Sequence, residues 1–405
     1  MNNLPQYEPI VGSEVIARIK EKAKPLLNKH IVCINSTFSG GGVAEMLNSA
    51  VFLFNELGLR FGWRILQGFP SFFNVTKKFH HALQGEKISL SEEEKEIYYE
   101  TNERFATFTH LPHDLVIIHD PQPLPLIDFY RKSQPWIWRC HVDMSEPDPS
   151  TWDYLKGFVE KYDEAIVSQE EYKQDLSIPQ NLIYPAIDPL TQKNEDLSDA
   201  EVAEYLQEFD ISLDKPIITQ VSRYDKWKDP KGVVEIFKLV REQVDCQLVL
   251  LGSFAADDPE GQETFEEVEK CIADCGYEDD VTLLTVSDDK LVNCLQRAAA
   301  VVIQKSLREG FGLTVAEALY KGTPVVASRV GGIPLQITDG ESGFLHEPRD
   351  LEGFAASAIE LVKDKDLRQN LGRQGKRHIT ENFLITRYIE DWLDLIQRHL
   401  LIDAR

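Results

Sequence analysis

Residues Glu309-Gly310-Phe311-Gly312-Leu313-Thr314-Val315-Ala316-Glu317 follow the apolar run Val301 to Ile303, and this stretch decides the fold. The order is strand, glycine turn, helix, with two carboxylates eight residues apart across the turn. In an open parallel α/β sheet such a turn lies at the carboxyl end of its strand, where ligands bind and a helix N-terminus offers N–H groups to an anion. Gly310 and Gly312 would let the backbone approach that ligand closely.

The same unit occurs near the start of the chain. His30 to Asn35 reads as a strand and runs into Ser36-Thr37-Phe38-Ser39-Gly40-Gly41-Gly42-Val43-Ala44-Glu45, followed by a helical pattern from Ala44 to Leu57. Three consecutive glycines cost chain entropy, so either a close ligand or a plain tight turn has to account for them. Further strands are expected at Trp63 to Leu66, Asp114 to Ile118, Trp136 to Cys140 and Ala165 to Ser168, with a charged helix over 90–108. Two of these strands stop at polar loops, His119-Asp120-Pro121-Gln122-Pro123 and His141-Val142-Asp143. The polar, acidic stretch 189–214 reads as a crossing between domains.

The second half restarts the rhythm. Strands are expected at Pro216 to Val221, Gln247 to Leu251, Val281 to Leu284, 301–303 and Pro324 to Ser328. Helices are expected at Val233 to Gln243, Glu263 to Cys275, Lys290 to Ala300, 351–363 and 366–382, with an amphipathic tail over 385–400. Alternating strands and helices predict an α/β protein of two doubly wound, Rossmann-like domains facing each other across a deep cleft. Their expected extents are 1–190 and 191–382, with 383–405 as a C-terminal helix packing back on the first domain.

Composition narrows the function. The chain has 405 residues, 42% hydrophobic and 27% charged, enough for two soluble domains. A formal net charge of −24 argues against nucleic acid as a partner, because phosphate-backbone binding relies on a basic surface. The polar start Met1 to Tyr7 lacks a signal-peptide pattern, and no apolar run reaches the roughly 18 residues of a membrane span. A cytoplasmic protein with no membrane partner is expected. The six cysteines lack metal-ligand spacing, and Cys271 and Cys275, four apart on one expected helix, read as buried or incidental thiols.

Just after the first strand of the second half stands Ser222-Arg223-Tyr224-Asp225-Lys226-Trp227-Lys228-Asp229-Pro230-Lys231-Gly232. Arg223 and Lys228 fall on the same carboxyl edge as the Glu309 turn. In so acidic a chain, two cations there suit a diphosphate, for which Arg offers a planar fork and Lys a point charge. Glu317, a turn inside its helix, can receive a ribose diol, and the Gly310-Phe311-Gly312-Leu313 amides face phosphate or sugar. Glu309 points where a sugar hydroxyl would lie. Surface ion pairs and solvated glutamates are the bland alternatives. A carboxylate pair alone would also fit glycoside hydrolysis, which does not need the neighbouring cations.

The Ser222-Arg223 loop with Lys228, the Glu309 to Glu317 element and the Gly331-Gly332-Ile333-Pro334 turn together resemble retaining glycosyltransferases of family 4, which have the GT-B fold. Asn35-Ser36-Thr37 with the glycine run, Thr76-Lys77-Lys78-Phe79, Ala82-Leu83-Gln84-Gly85, His119-Asp120-Pro121-Gln122-Pro123 and Ile303-Gln304-Lys305-Ser306 look like the trehalose glycosyltransferring members. The resemblance spans essentially the whole chain. It implies that Arg223 and Lys228 hold the donor diphosphate, Glu317 the ribose and Glu309 a hydroxyl of the donor glucose. It further implies that His141 lies near the transferred sugar and that Gly41 and Gly42 bring N–H groups to the donor. Asp120, Gln122 and Asp143 are candidate acceptor contacts, weighed against a role in shaping their loops. Leu335 after Pro334 departs from the commoner family pattern, which has Glu there.

The implied reaction is reversible transfer of glucose from a nucleoside-diphosphate glucose to glucose, giving trehalose, with retained anomeric configuration and no cofactor required for the chemistry. A divalent cation is compatible with this but not implied, and no metal site is read. The implied partners are small molecules, NDP-glucose and glucose or trehalose, and a homodimer is compatible with the sequence. Another acceptor, a trehalose phosphorylase-like activity and a non-catalytic nucleotide-sugar sensor are the alternatives. The glycine run is not the spaced Gly-x-Gly-x-x-Gly of an oxidoreductase. Glu309 and Arg223 are both expected on loops outside the core, so that Glu309→Gln or Arg223→Ala would abolish turnover and leave the protein folded.

Overall fold

Short runs rich in Val, Ile and Leu, buried on both faces, form parallel strands because only helices on either side can cover them. The structure, a computed structural model, describes residues 3–38, 41–253 and 259–402. The chain divides into two units, Met1–Ala186 with Ile385–Arg405, and Ile187–Leu384. It therefore passes between them twice, at 186–187 and at 384–385.

The first unit carries β1 (His30–Asn35), β2 (Arg60–Ile65), β3 (Leu115–His119), β4 (Trp136–Arg139), β5 (Glu164–Val167) and β6 (Gln180–Leu182). They lie in the order β2-β1-β3-β4-β5-β6, and every pairing is parallel. The chain moves outward from β1 to β2 and then returns to the other side of β1 as β3. The strand order thus reverses between β1 and β3, and the crevice at their carboxyl ends is the place where such sheets bind ligands.

The second unit repeats this plan with β7 (Ile217–Val221), β8 (Gln247–Leu251), β9 (Val281–Leu284), β10 (Ala299–Gln304), β11 (Val325–Ser328) and β12 (Gly343–His346). The order is β12-β11-β10-β7-β8-β9, again all parallel. Here the reversal falls between β7 and β10. Those are the strands that lead into Lys228 and into Glu309.

Each sheet has its own core. In the first, Val116, Ile118, Trp136, Trp138 and Cys140 pack with Phe72, Phe79 and Tyr98 from the flanking helices. In the second, Ile218, Leu248, Leu250, Val301 and Ile303 pack with Val233, Phe237, Phe354 and Leu361.

Three features differ from the sequence expectation. The edge strands β6 and β12 have three and four residues, too short to show a pattern of their own. Pro70–Leu83, not assigned from sequence, is a helix. The polar stretch expected as a crossing contains the helix Asp199–Gln207, started by a capping box in which Ser198 Oγ accepts from the Glu201 N–H at 3.3 Å and Glu201 Oε2 accepts from the Ser198 N–H at 2.8 Å. Asn293 Nδ2 ties the preceding segment down through the Gln192 and Glu195 carbonyls, both at 2.9 Å.

Candidate active site

In the second unit the reversal of strand order sets the ends of β7 and β10 side by side, and the residues leaving them interlock. Lys228 Nζ donates to Glu309 Oε2 at 2.5 Å, with the two side chains 19% and 9% exposed. Ser306 Oγ reaches the same carboxylate oxygen at 3.3 Å, and Gln304 Nε2 holds Ser306 Oγ at 3.0 Å. From the other strand, Gln220 Nε2 grips the Lys228 carbonyl at 2.8 Å and Ser222 Oγ at 3.2 Å. Both members of the ion pair are thus anchored to the last residues of buried strands. Glu309 stands on a loop as expected but is only 7% exposed, which corrects the expectation that it lies outside the buried interior: the turn tucks the carboxylate inward to meet the lysine.

A second pair lies alongside, the buried Lys305 placing Nζ on Oδ2 of the partly exposed Asp229. Asp229 also caps the helix Pro230–Arg241, its Oδ1 accepting from the Gly232 N–H at 3.1 Å, and it adopts φ +45°, the left-handed region. Arg223 behaves differently. Its side chain is 68% exposed and donates to Asp225 at 3.3 Å, so the structure does not bring Arg223 and Lys228 onto one partner.

The glycine turn is shaped by Gly312, with φ +82° as the cap of the helix Leu313–Tyr320. A Cβ there would sit 3.3 Å from both Glu309 Cγ and Ile333 Cγ1, so the close packing of Glu309 depends on a residue without one. Leu313 opens the helix. The Gly310 carbonyl accepts from the Gly332 N–H at 3.1 Å and the Phe311 carbonyl from Gln336 Nε2 at 2.5 Å, which fixes the turn to the second glycine loop. Glu317 is buried within the helix. One turn on, Lys321 Nζ bonds the Glu317 carbonyl at 3.2 Å, Gln296 at 2.9 Å and Asn194 at 2.8 Å.

In the first unit the sequence-expected residues gather at the ends of β3 and β4. His119 and His141 stack with ring centroids 5.4 Å apart and an 11° interplanar angle, and His119 Nδ1 lies 3.1 Å from His141 Nε2. Burial beside the Arg139 guanidinium keeps both imidazoles neutral, His119 pushed down to about 3 and His141 well below the ordinary histidine value. Asp120, at φ +63°, accepts the His141 backbone N–H on Oδ1 at 2.7 Å. Burial raises its carboxyl to about 6, against the lowering effect of that hydrogen bond and of Arg139.

Gln122 Nε2 meets His80 Nε2 at 2.9 Å, while its carbonyl accepts from Asn102 at 3.1 Å. Asp143 is buried and accepts from the backbone and hydroxyl of Ser145 at 2.9 and 2.7 Å. Asp120, Gln122 and Asp143 all therefore carry bonds that shape their loops. Gly41 caps the helix Gly42–Glu56 at φ +94°, and a Cβ there would meet nothing within 4 Å, so the backbone conformation alone calls for glycine. Ser39 and Gly40 lie outside the described residues.

Sequence reading assigned no role to His119, Arg139, Gln304, Lys305 or Ser306. The usable signal was register: parallel strands in step place residues of equal rank at one edge. Among the described residues no three His, Cys, Asp or Glu side chains converge as a metal site, and no helix is long and apolar enough to cross a membrane.

Two parallel six-stranded sheets flanked by helices have the architecture of GT-B glycosyltransferases, and comparison with known proteins agrees. Residues 33–174 match the trehalose synthase N-terminal domain family and residues 201–378 the glycosyl transferases group 1 family. The chain is 46% identical over 401 residues to the trehalose synthases of Thermococcus litoralis and Pyrococcus furiosus, covering 97% of this chain and 96% of each relative. It is 42% identical to that of Rubrobacter xylanophilus, covering 98% of this chain and 97% of the relative. This chain belongs to the trehalose synthase family of glycosyltransferases. Among solved structures, sucrose-phosphate synthase from Thermosynechococcus elongatus superposes with a TM-score of 0.71 at 19% identity, over 93% of this chain and all of that one. An α,α-trehalose-phosphate synthase from Burkholderia xenovorans gives 0.74 at 14%, over 91% and 100%. These two likenesses show the shared fold.

Proposed function

We propose that this glycosyltransferase moves a glucosyl unit from a nucleoside-diphosphate glucose to free glucose, with retention at the anomeric carbon, giving trehalose. The observation that carries this reading is the partly buried Lys228–Glu309 pair past the ends of β7 and β10, beside a glycine-capped helix start. A cation next to helix N–H groups suits a diphosphate, and a carboxylate in hydrogen-bond reach of the same point suits a sugar hydroxyl. The relatives' names supply trehalose as the product.

In this reading the second unit holds the donor. Lys228, Arg223 and the Gly310 to Leu313 amides receive the diphosphate, Glu317 the ribose diol and Glu309 a glucose hydroxyl. Arg223, exposed and paired with Asp225 at 3.3 Å, can swing to a ligand at little cost. In the first unit, Gly41 and Gly42 offer backbone N–H groups to a phosphate and His141 meets the transferred sugar. Asp120, Gln122 and Asp143 shape the loops that receive the acceptor.

As the bond from C1 to the phosphate oxygen breaks, negative charge grows on the diphosphate, and Lys228 with the helix amides stabilises that charge more in the transition state than in the ground state. The acceptor hydroxyl attacks C1 from the same face and its proton passes to the departing phosphate oxygen. The products are trehalose and the nucleoside diphosphate.

A second reading comes from the trehalose phosphorylase of Grifola frondosa, 28% identical over 94% of this chain and 59% of that protein. It predicts that orthophosphate is consumed and glucose 1-phosphate released. Incubation with UDP-, ADP- and GDP-glucose plus glucose, with the disaccharide identified by NMR, tests the proposal. An α,α-1,1 product formed without orthophosphate supports it, and any other linkage, or strict dependence on orthophosphate, rules it out.

A further inference from the structure

β3 and β4 pair with His119 opposite Arg139. Side chains alternate along each strand, so Val116, Ile118, Trp136, Trp138 and Cys140 enter the core on one face, while Ile117, His119, Ile137 and Arg139 share the other. His141 follows Arg139 by two residues and continues that face past the end of the strand. This register brings two imidazoles into contact, one of them, His119, only 2% exposed.

The pair is held from several sides. Asp120 Oδ1 accepts from the backbone N–H of His141 at 2.7 Å, and the Trp138 Nε1–H donates to the Asp120 carbonyl at 3.1 Å, so the loop that presents His141 is bolted to the core. The His119 Nδ1 to His141 Nε2 distance of 3.1 Å holds a single proton between two neutral rings. Nδ1 of His141 is buried and has no hydrogen-bond partner among the described residues. A buried ring nitrogen left unpaired costs about 1–3 kcal/mol, a cost that a ligand hydroxyl would remove.

We propose that His119 is a positioning residue for sugar transfer: by sharing one proton with Nε2 of His141 it fixes the plane and tautomer of that ring and reserves Nδ1 of His141 for a hydroxyl of the bound sugar. The proposal rests on the reading that His141 meets the transferred sugar. If the shared proton belongs to His119, Nδ1 of His141 carries a hydrogen and donates; if it belongs to His141, Nδ1 accepts. A sugar hydroxyl satisfies either state. What His119 contributes is that the ring adopts one of them in a fixed orientation. Burial first, and then the Arg139 guanidinium on the same face, oppose a second proton on the pair, so the arrangement persists across the neutral and mildly acidic range.

The test compares His119→Ala, His119→Asn and His119→Gln with His141→Ala, each checked by thermal melting, on kcat, donor KM and the pH dependence of kcat. Asn places an amide where His119 has Nδ1, whereas Gln reaches the position of Nε2. Misplacement of a contacting group by about 1 Å costs on the order of 100-fold in rate, so His119→Ala should lose about 10- to 100-fold in kcat with donor KM changed by less than about threefold. Asn should restore most of the rate and Gln should not. In His119→Ala, water replaces the neighbouring ring and His141 protonates more easily, so the acid limb of kcat should move to higher pH. An inactive His141→Ala beside a His119→Ala enzyme with wild-type kcat and pH profile would overturn the proposal. Equal damage by Asn and Gln, with a lowered melting temperature and an unmoved pH profile, would reduce His119 to a packing residue. Full activity in His141→Ala would instead remove the sugar contact on which the proposal rests.

Discussion

Replacing Glu309 by Gln removes one charge with almost no change in shape, and the structure sets what that should cost. The carboxylate is 2.5 Å from Lys228 Nζ and 9% exposed. At that separation two unit charges attract by about 7 kcal/mol at an effective dielectric near 20 and by about 2 kcal/mol in water. The desolvation of Glu309 is relieved in the variant, and the amide still accepts from Lys228. The net loss should therefore be about 1–3 kcal/mol, below the roughly 3–5 expected when a buried charge loses its partner outright. In a unit spanning Ile187–Leu384, each kcal/mol lowers the melting temperature by about 2–4 °C. The variant should fold but melt about 2–12 °C lower. The effect on transfer should be larger, because a group that orders both Lys228 and a sugar hydroxyl acts on the transition state; a loss of about 100- to 1,000-fold in kcat is expected. Initial rates of nucleoside-diphosphate release at saturating donor and glucose, alongside calorimetry, separate the two effects. Transfer within about fivefold of wild type, with melting lowered as calculated, would show Glu309 to be a structural partner of Lys228 only.

Other perturbations probe single features of the site. Asp120 binds a proton in the folded state up to about pH 6, but unfolded it does so only to 3.8. Between these values the folded state holds the extra proton, so stability falls as pH rises, by up to about 3 kcal/mol in all. Asp120→Asn, which can still accept from the His141 N–H, should match wild type at pH 4 and melt higher at pH 7; identical pH profiles for the two proteins would contradict the assignment. Gly312→Ala puts a Cβ at a positive φ and against Glu309, so about 1–2 kcal/mol of stability and most activity should be lost, while Gly41→Ala, strained by φ alone, should disturb activity less. Cys271 is the one partly exposed thiol of six, and titration of the native protein with a disulfide reagent should find one fast-reacting group and five that react only on unfolding.

Much of this architecture is legible in the sequence. Apolar runs bounded by glycine turns gave the parallel strands, because a strand buried on both faces leaves a continuous apolar signature. The short edge strands β6 and β12 escaped, since three or four residues that take their stability from one neighbour carry no pattern of their own. The helix Asp199–Gln207 had its signal in Ser198 and Glu201, a capping box hidden in a polar stretch that otherwise reads as a crossing.

The sequence by itself located the loops that leave the main strands, because punctuation by glycine and proline is local: Lys228, Glu309, His119 and His141 were all identifiable as residues at or just beyond strand ends. Tertiary structure alone decided their company. Strand order put β7 beside β10 and so set Lys228 on Glu309, 81 positions away, leaving Arg223 in solvent with Asp225. Parallel register put His119 beside His141 and gave Asp120 the backbone of the latter. Pairing across a sheet depends on which strands become neighbours, and that choice is made by the packing of whole helices on both faces, which no local stretch of sequence contains.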